Sequence, residues 1–516
     1  MPMTAAFLSK GISETKSNGQ SIITSKRFLN SSERDSHQNH NIRITDSDRL
    51  GYDDRLCTSE KWSVKKRSIK KSNFWNFAPE TTRPDENQIL PCESNLDADG
   101  PLPFGSYRMI GNPEYDPKKI CLTTVSVDLM RLNRNPFSTN FDYSDIDVSK
   151  VVTNMQSMID YGFTSFQIAP AISTSKVSKS SEPIVDIDWL ETSSQEIWSE
   201  SNLYSRLIKS TPSSVMSSCH LATRLNLPPK NFEGNIGKGS IIRQVVGQKI
   251  SRLGECDSID SLQLCYKDDN PYIFDILDVL FDMKREGLIR SLTGVNMPQS
   301  LLDDAEASGF GIDSNQISCN LLNPNQFFDQ TTGLKNDSKK LLFSSPLAGG
   351  IISEDFFINK FSSPPPYLMS RAKNWHIENS LRGWAKRHHG DNVKEVRNGK
   401  VWEGFHSMFY GTLKDIALKY QVSVSSVALR WAMQIGNLGS VVVSSGFNGL
   451  NDDDRPFVRP RSLRQIYSFH LDDEDMERLW DISGKKEIIY ENIALDDMDD
   501  FTGSFSPDFT NTKLWL

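Results

Sequence analysis

The sequence predicts an α/β chain organised as a (β/α)8 TIM barrel, and three observations predict it. From Pro101 onward, short aliphatic or β-branched runs alternate with segments of helical period. Eight such runs occur, separated by enough chain for the crossover helices of a parallel sheet. The stretch Leu413 to Ile435 spaces its apolar residues as a helix, and Gly439-Ser-Val-Val-Val-Ser-Ser-Gly446 follows as a buried strand closed by glycine.

Ile120 to Val127 reads as the first strand, Val151 to Tyr161 as a helix, and Thr164 to Ala169 as the second strand. His220 to Thr223 is the third strand, Ile241 to Leu253 a helix, and Leu262 to Cys265 the fourth strand. The helix Ile273 to Glu286 ends at Gly287, the residue type that relieves a left-handed helix terminus, and Ile289 to Gly294 is the fifth strand. Ser300 to Ala307 is helical, Gln316 to Leu321 is strand six, Lys340 to Ser344 strand seven and Ser440 to Val443 strand eight. A barrel of this kind uses about 250 residues before insertions. The excess falls in Ile172 to Ser199, Phe356 to Gly411 and Phe447 to Arg461, which follow strands two, seven and eight and so enlarge the C-terminal face. Trp189, Trp198, Trp375 and Trp402, with His388 and His389, lie on these insertions and read either as loop anchors or as parts of a site.

Residues 1–98 are rich in Ser, Asn, Asp, Lys and Arg without a sustained apolar period, and read as a mostly disordered N-terminal extension. Residues 99–485 form the barrel and 486–516 a C-terminal tail carrying Phe505, Phe509 and Trp515. Lys10, Lys16, Lys26 and Arg27 against Glu14 give the first 32 residues the balance of an organellar transit peptide, with an ordinary tail in a cytoplasmic protein as the other reading. Lys61 to Lys71 holds six basic residues and reads as a solvated linker, with a nuclear import signal or an anionic-surface contact as the other readings, and the extension as a whole could meet a protein partner. A net charge of −8 argues against nucleic acid as the main partner. No segment approaches the roughly 18 apolar residues of a membrane span. Seven cysteines without a CxxC pair point to buried thiols and neither a disulfide framework nor a zinc site.

Several segments resemble the aldo-keto reductases, a family of nicotinamide-dependent barrels. Arg252-Leu-Gly with Ile259-Asp-Ser-Leu-Gln-Leu-Cys-Tyr266 is similar to the family's fourth-strand region, Glu286-Gly-Leu-Ile-Arg-Ser-Leu-Thr-Gly-Val295 to its approach to strand five, and Ser344-Ser-Pro-Leu-Ala-Gly-Gly-Ile-Ile352 to its strand-seven signature. Leu413 to Gly446 and Gln465 to Leu479 resemble its closing helix, strand and helix.

The resemblance implies NADP(H) as cofactor and a small-molecule carbonyl as substrate. In such enzymes a tyrosine protonates the carbonyl, a lysine paired with an aspartate tunes the tyrosine, and a histidine orients the substrate. Residue by residue, Gln167 stands at the aspartate position, Ile172 at the tyrosine, Arg224 at the lysine and Cys265 at the histidine. Glutamine carries no charge, isoleucine no proton, and arginine stays protonated. Tyr266 and Tyr204 are the nearby phenols that could substitute. The cofactor side is better kept. Asn296 replaces the family's nicotinamide-binding pair, Gln316 is present on strand six, Ser345, Pro346 and Leu347 hold the strand-seven phosphate contact, and Ser444 and Gly446 lie near strand eight. Arg464, with Arg455, Arg459 and Arg461, is a candidate for the adenosine 2′-phosphate. The chain has no GxGxxG to suggest a Rossmann site. Two functions follow: an NADP(H)-linked oxidoreductase with a substituted tetrad, or a non-catalytic barrel that binds a nucleotide or metabolite or acts as a scaffold.

Overall fold

The computed structural model describes residues 100–111, 117–128, 147–169, 202–227, 240–253, 256–266, 270–331, 340–354, 356, 376–390, 393, 396, 399–435, 438–445 and 460–484. The expected N-terminal extension, the C-terminal tail and the insertions 172–199 and 447–459 lie outside them.

Eight parallel strands close into a barrel: β3 (Thr123–Asp128), β4 (Ser165–Ala169), β5 (His220–Asn226), β6 (Ile259–Cys265), β7 (Ile289–Val295), β8 (Ser314–Ser318), β9 (Lys340–Ser344) and β10 (Leu438–Ser445), with β10 pairing β3. Apolar side chains on the outer faces, among them Phe166, Leu262 and Phe343, pack under amphipathic helices such as Val148–Asp160 and Ile273–Arg285. Asp147 caps the first of these by accepting from Lys150 N, and Gly162 follows it at φ 87°. A Cβ at Gly162 would lie 2.7 Å from Leu102 N, so only glycine fits that close turn.

The expected first strand is two strands. β1 (Tyr107–Ile110) and β2 (Lys118–Cys121) form an antiparallel hairpin, and Leu122 alone separates β2 from β3. The hairpin floors the barrel: Ile110 and Ile120 cluster with Leu342 and Val442. Cys121 N donates to Ser165 Oγ at 2.5 Å, and Ser440 Oγ donates to Cys121 O at 2.8 Å. Strand six is Ser314–Ser318, ending earlier than expected because Asn320 turns the chain, its Oδ1 accepting from Leu322 N and Asn323 N.

The helix expected over Leu413 to Ile435 is also two. Gly411–Tyr420 stops at Gln421, which is left-handed at φ 56°, and Val424–Gln434 starts on Ser423, whose side chain accepts from Ser426 N. The insertion after β9 is largely helical in its described part, and its aromatic residues are structural. Trp384, Trp402, Phe405 and Phe409 pack together and are buried. Trp384 Nε1 donates to Ile482 O at 2.6 Å, Arg387 Nε to Ser483 O at 3.0 Å and Arg387 Nη2 to Leu322 O at 2.6 Å. His388 Nε2 lies 3.0 Å from Ile482 O, so the insertion caps the last helix, Asp473–Ser483.

Candidate functional site

Side chains alternate along a strand, so one set from each barrel strand points inward. TIM barrels usually fill this space with branched aliphatic residues. Here much of the interior is polar. A hydroxyl belt joins Ser261, Thr293 and Ser314 across β6, β7 and β8 at 2.9 and 2.8 Å, and Thr124 meets Ser440 at 2.7 Å.

The next layer is a lattice of amides. Gln263 Nε2 donates to Gln167 Oε1 at 2.8 Å and to Gln316 Oε1 at 3.1 Å. Gln167 Nε2 donates to Ser126 Oγ at 3.2 Å, and Arg224 Nη2 to Gln263 Oε1 at 3.3 Å. Gln263 thus reaches from β6 past β5 to β4 and past β7 to β8, which places all three glutamines in the lumen. All are buried, as is Arg224. Two sequence candidates, Gln167 and Arg224, therefore meet through a residue the sequence reading passed over. Gln263 left a signal: it is the one amide in the apolar strand Leu262-Gln-Leu-Cys265, two residues from Cys265 and so on its face.

Cys265 ends β6 and is 8% exposed, one step nearer the mouth than Gln263. Of the alternative phenols, that of Tyr204 is engaged elsewhere. Tyr204, on helix 202–210, is buried and donates to Ala222 O at 2.8 Å, outside the lumen. Tyr266 follows β6, buried, with its backbone N bonded to Val295 O. Ile172 lies outside the described residues.

On the other side, Asn296 follows β7 in a left-handed conformation, φ 55°, and its N donates to Gln316 O at 2.9 Å. Asn315 clamps that turn: Nδ2 donates to Met297 O at 2.9 Å, and Oδ1 accepts from Met297 N at 3.3 Å. Gly294 is required beneath it, because a Cβ there would lie 2.8 Å from both Asn315 Oδ1 and Met297 Sδ. Asn296 Oδ1, Gln316 Nε2 and Ser444 Oγ are buried atoms without a hydrogen-bond partner among the described residues. Buried polar atoms are usually satisfied, so each of these asks for a ligand or water. After β9, Ser345, Ala348, Gly349 and Gly350 are all left-handed, and Asn320 Nδ2 holds Ser345 O at 3.2 Å. Pro346 and Leu347 lie within this turn.

Gly446 lies outside the described residues, as do Arg455 and Arg459. Arg464 is turned away from any phosphate site. Its guanidinium is buried and donates to Tyr161 O at 2.9 Å and to Gly100 O and Pro101 O at 3.2 Å. Tyr161 precedes β4, so this clasp sits at the N-terminal end of the strands, opposite the mouth. The misplacement is physical: charge in a sequence does not say which carbonyls a guanidinium will neutralise.

His220 starts β5 at that same closed end. It is buried, neither ring nitrogen has a hydrogen-bond partner among the described residues, and burial pushes its pKa down to about 4. Nearby, Lys118 and Asp260 pair at 3.5 Å. Cys121, Cys219, Cys265 and Cys319 are buried thiols outside any disulfide, and burial raises Cys121 to about 11 and Cys219 to about 12. Among the described residues no cluster of His, Cys, Asp or Glu could hold a metal ion, and no helix is long and apolar enough to cross a membrane.

A closed parallel barrel with a floor hairpin and a polar lumen defines the class as a (β/α)8 barrel protein. Residues 199–452 match the model of the Aldo/keto reductase family. The match begins after β4, so Gln167 precedes it and Arg464 follows it. Among solved structures, the glycerol dehydrogenase of Gluconobacter oxydans aligns at 16% identity over 73% of this chain and 95% of its own, with a TM-score of 0.50, which speaks for the fold. A thermostable aldo-keto reductase solved with the inhibitor epalrestat aligns at 15% identity over 73% of this chain and 99% of its own, with a TM-score of 0.46. No curated protein sequence matches the chain.

Proposed function

We propose that the mouth of this barrel binds a nicotinamide dinucleotide, NADP(H) by family, and that the chain is a nucleotide-binding barrel without the family's route of proton delivery to a carbonyl. The observation that carries the first half is a complementary pair. Gln316 Nε2 is a donor and Asn296 Oδ1 an acceptor, both buried, both without a partner among the described residues, one within a strand and the other just past the end of its neighbour. A primary carboxamide carries the matching oxygen and N–H, so these residues fit the nicotinamide group. Ser444 and the left-handed turn from Ser345 to Gly350 flank this pair as candidates for the phosphates.

The second half rests on residue chemistry. Gln167 cannot pair as a charge with a cation, Arg224 cannot act as the tuned partner of a phenol, and the thiol of Cys265 is a weak donor. Tyr204 is committed to Ala222 O. When bound, the nucleotide would supply hydride. This chain's residues supply its seat, with no general acid near neutrality among the described side chains of the amide layer.

The test combines tryptophan fluorescence and thermal shift with NADPH and NADH, followed by NADPH consumption against aldehydes and quinones. Saturable binding with consumption at the buffer background is expected. No saturable binding would sink the nucleotide reading. Turnover above background that survives both Arg224→Met and Cys265→Ala would show that chemistry happens somewhere other than this layer.

A further inference from the structure

We infer that Arg224 and Gln263 are positioning residues that fix which end of the Gln316 amide faces the ligand, and so set the barrel's preference for a hydrogen-bond acceptor at that point. The inference deepens the nucleotide reading and rests on it for the identity of the ligand.

The argument is one of donor and acceptor bookkeeping along the lattice. A guanidinium has five N–H donors and no acceptor, so the atom of Gln263 that meets Arg224 Nη2 must be its oxygen. An amide has its oxygen and its NH2 on opposite sides, so the Gln263 NH2 must face the other way. There it meets Gln167 at 2.8 Å and Gln316 at 3.1 Å. Its two hydrogens demand two acceptors, so both partners must present Oε1 to it. Each partner's Nε2 is then turned outward: that of Gln167 reaches Ser126 Oγ at 3.2 Å, and that of Gln316 is left toward the ligand. A fixed cation at one wall therefore dictates, through two amides, that the opposite wall offers a donor. Glutamine side chains are otherwise free to flip, since the two amide orientations differ only in hydrogen bonding.

The same logic states what would reverse it. A carboxylate at 263 accepts only. It would satisfy Arg224 and oblige Gln167 and Gln316 to turn their NH2 groups inward, leaving Gln316 Oε1 facing the ligand. The charge it introduces is compensated by Arg224, so Gln263→Glu is expected to fold, and thermal unfolding checks that it does.

The experiment compares the affinities of NADPH and its reduced 3-acetylpyridine analogue, which keeps the carbonyl oxygen and lacks the N–H. In the wild type the shared oxygen meets Gln316 Nε2, so the analogue loses only the contact to Asn296. In Gln263→Glu the analogue faces acceptors alone, and the preference for NADPH is expected to widen about tenfold. Arg224→Lys, also donor-only, is expected to keep the wild-type ratio. A folded Gln263→Glu protein that binds NADPH with the wild-type ratio overturns the inference. If the wild type binds neither nucleotide, the nucleotide reading falls, and the lattice is judged without ligand from the 15N side-chain amide signals of Gln167 and Gln316. Movement of both in Gln263→Glu and Arg224→Gln supports the relay, and signals unmoved in both variants overturn it.

Discussion

The two walls of this barrel carry different chemistry. Along β7, β8 and β9 stand the residues proposed to seat a nicotinamide nucleotide: Asn296 in its clamped turn, Gln316, and the left-handed residues after Ser344. Along β4, β5 and β6 stand a neutral amide, a guanidinium and a thiol, those of Gln167, Arg224 and Cys265. Recognition of an amide or phosphate needs donors and acceptors at given places, which backbone and amide side chains supply. Proton delivery needs a group whose pKa lies near the working pH, and few residues can be placed there. The first requirement tolerates exchange of residue types, and the second tolerates little, which is why the proposed reading keeps nucleotide binding and gives up proton delivery.

The contrast can be attacked from either wall, and the largest effect is expected at Gly294. Its Cβ space is taken by Asn315 and Met297, so Gly294→Val should cost about 3 kcal/mol in urea unfolding and abolish nucleotide binding. Retention of wild-type affinity there would mean that the Asn296 turn is not part of the seat.

A comparable effect, this time dependent on pH, is expected at the floor below the altered wall. His220 titrates near 4 when folded against about 6.5 when unfolded. As pH falls from about 6.5 toward 4, the unfolded chain takes up this proton and the native one does not, so stability is full above that window and is lost within it. The contribution reaches about 3 kcal/mol at the lower end. Denaturation series at pH 7.5 and 4.5 should show a smaller loss for His220→Asn than for the wild type; equal losses would place the titration elsewhere.

Asn315→Ala removes the two bonds from its side chain to the buried backbone N–H and C=O of Met297, for about 2 kcal/mol. Here the sharper measure is affinity, expected to fall more than stability alone explains because Asn296 is released from its left-handed turn. Smallest of all, Cys265→Ala should change stability by about 1 kcal/mol or less and leave NADPH affinity within about twofold. A larger loss of affinity would give the thiol a place in the ligand's environment and weaken the contrast between the walls.

Much of the architecture could be read from residue order, because aliphatic runs on the outer faces of Ile289–Val295 or Lys340–Ser344 leave few other ways to be buried. What escaped was local. Lys118–Cys121 and Thr123–Asp128 join through one residue, so periodicity could not reveal that the chain leaves one sheet for another at Leu122. Gln421 takes a left-handed conformation that usually announces itself with glycine or asparagine, and two helices therefore looked like one. In the site, Gln167, Arg224 and Cys265 could be placed by their strands, but the partner that joins the first two could not, because lumen contacts span strands distant in sequence. Arg464 shows the reverse error: a cation near the expected phosphate that folds onto backbone carbonyls at the opposite end.

The grip of Trp384, Arg387 and His388 on the carbonyls of Ile482 and Ser483 makes the segment after β9 a fastener and leaves the ending of the helix to Gly484, left-handed at φ 81°. Removing the segment would therefore leave the helix its stop but return those two carbonyls to water, so the last helix would be loosened against the barrel and not lengthened.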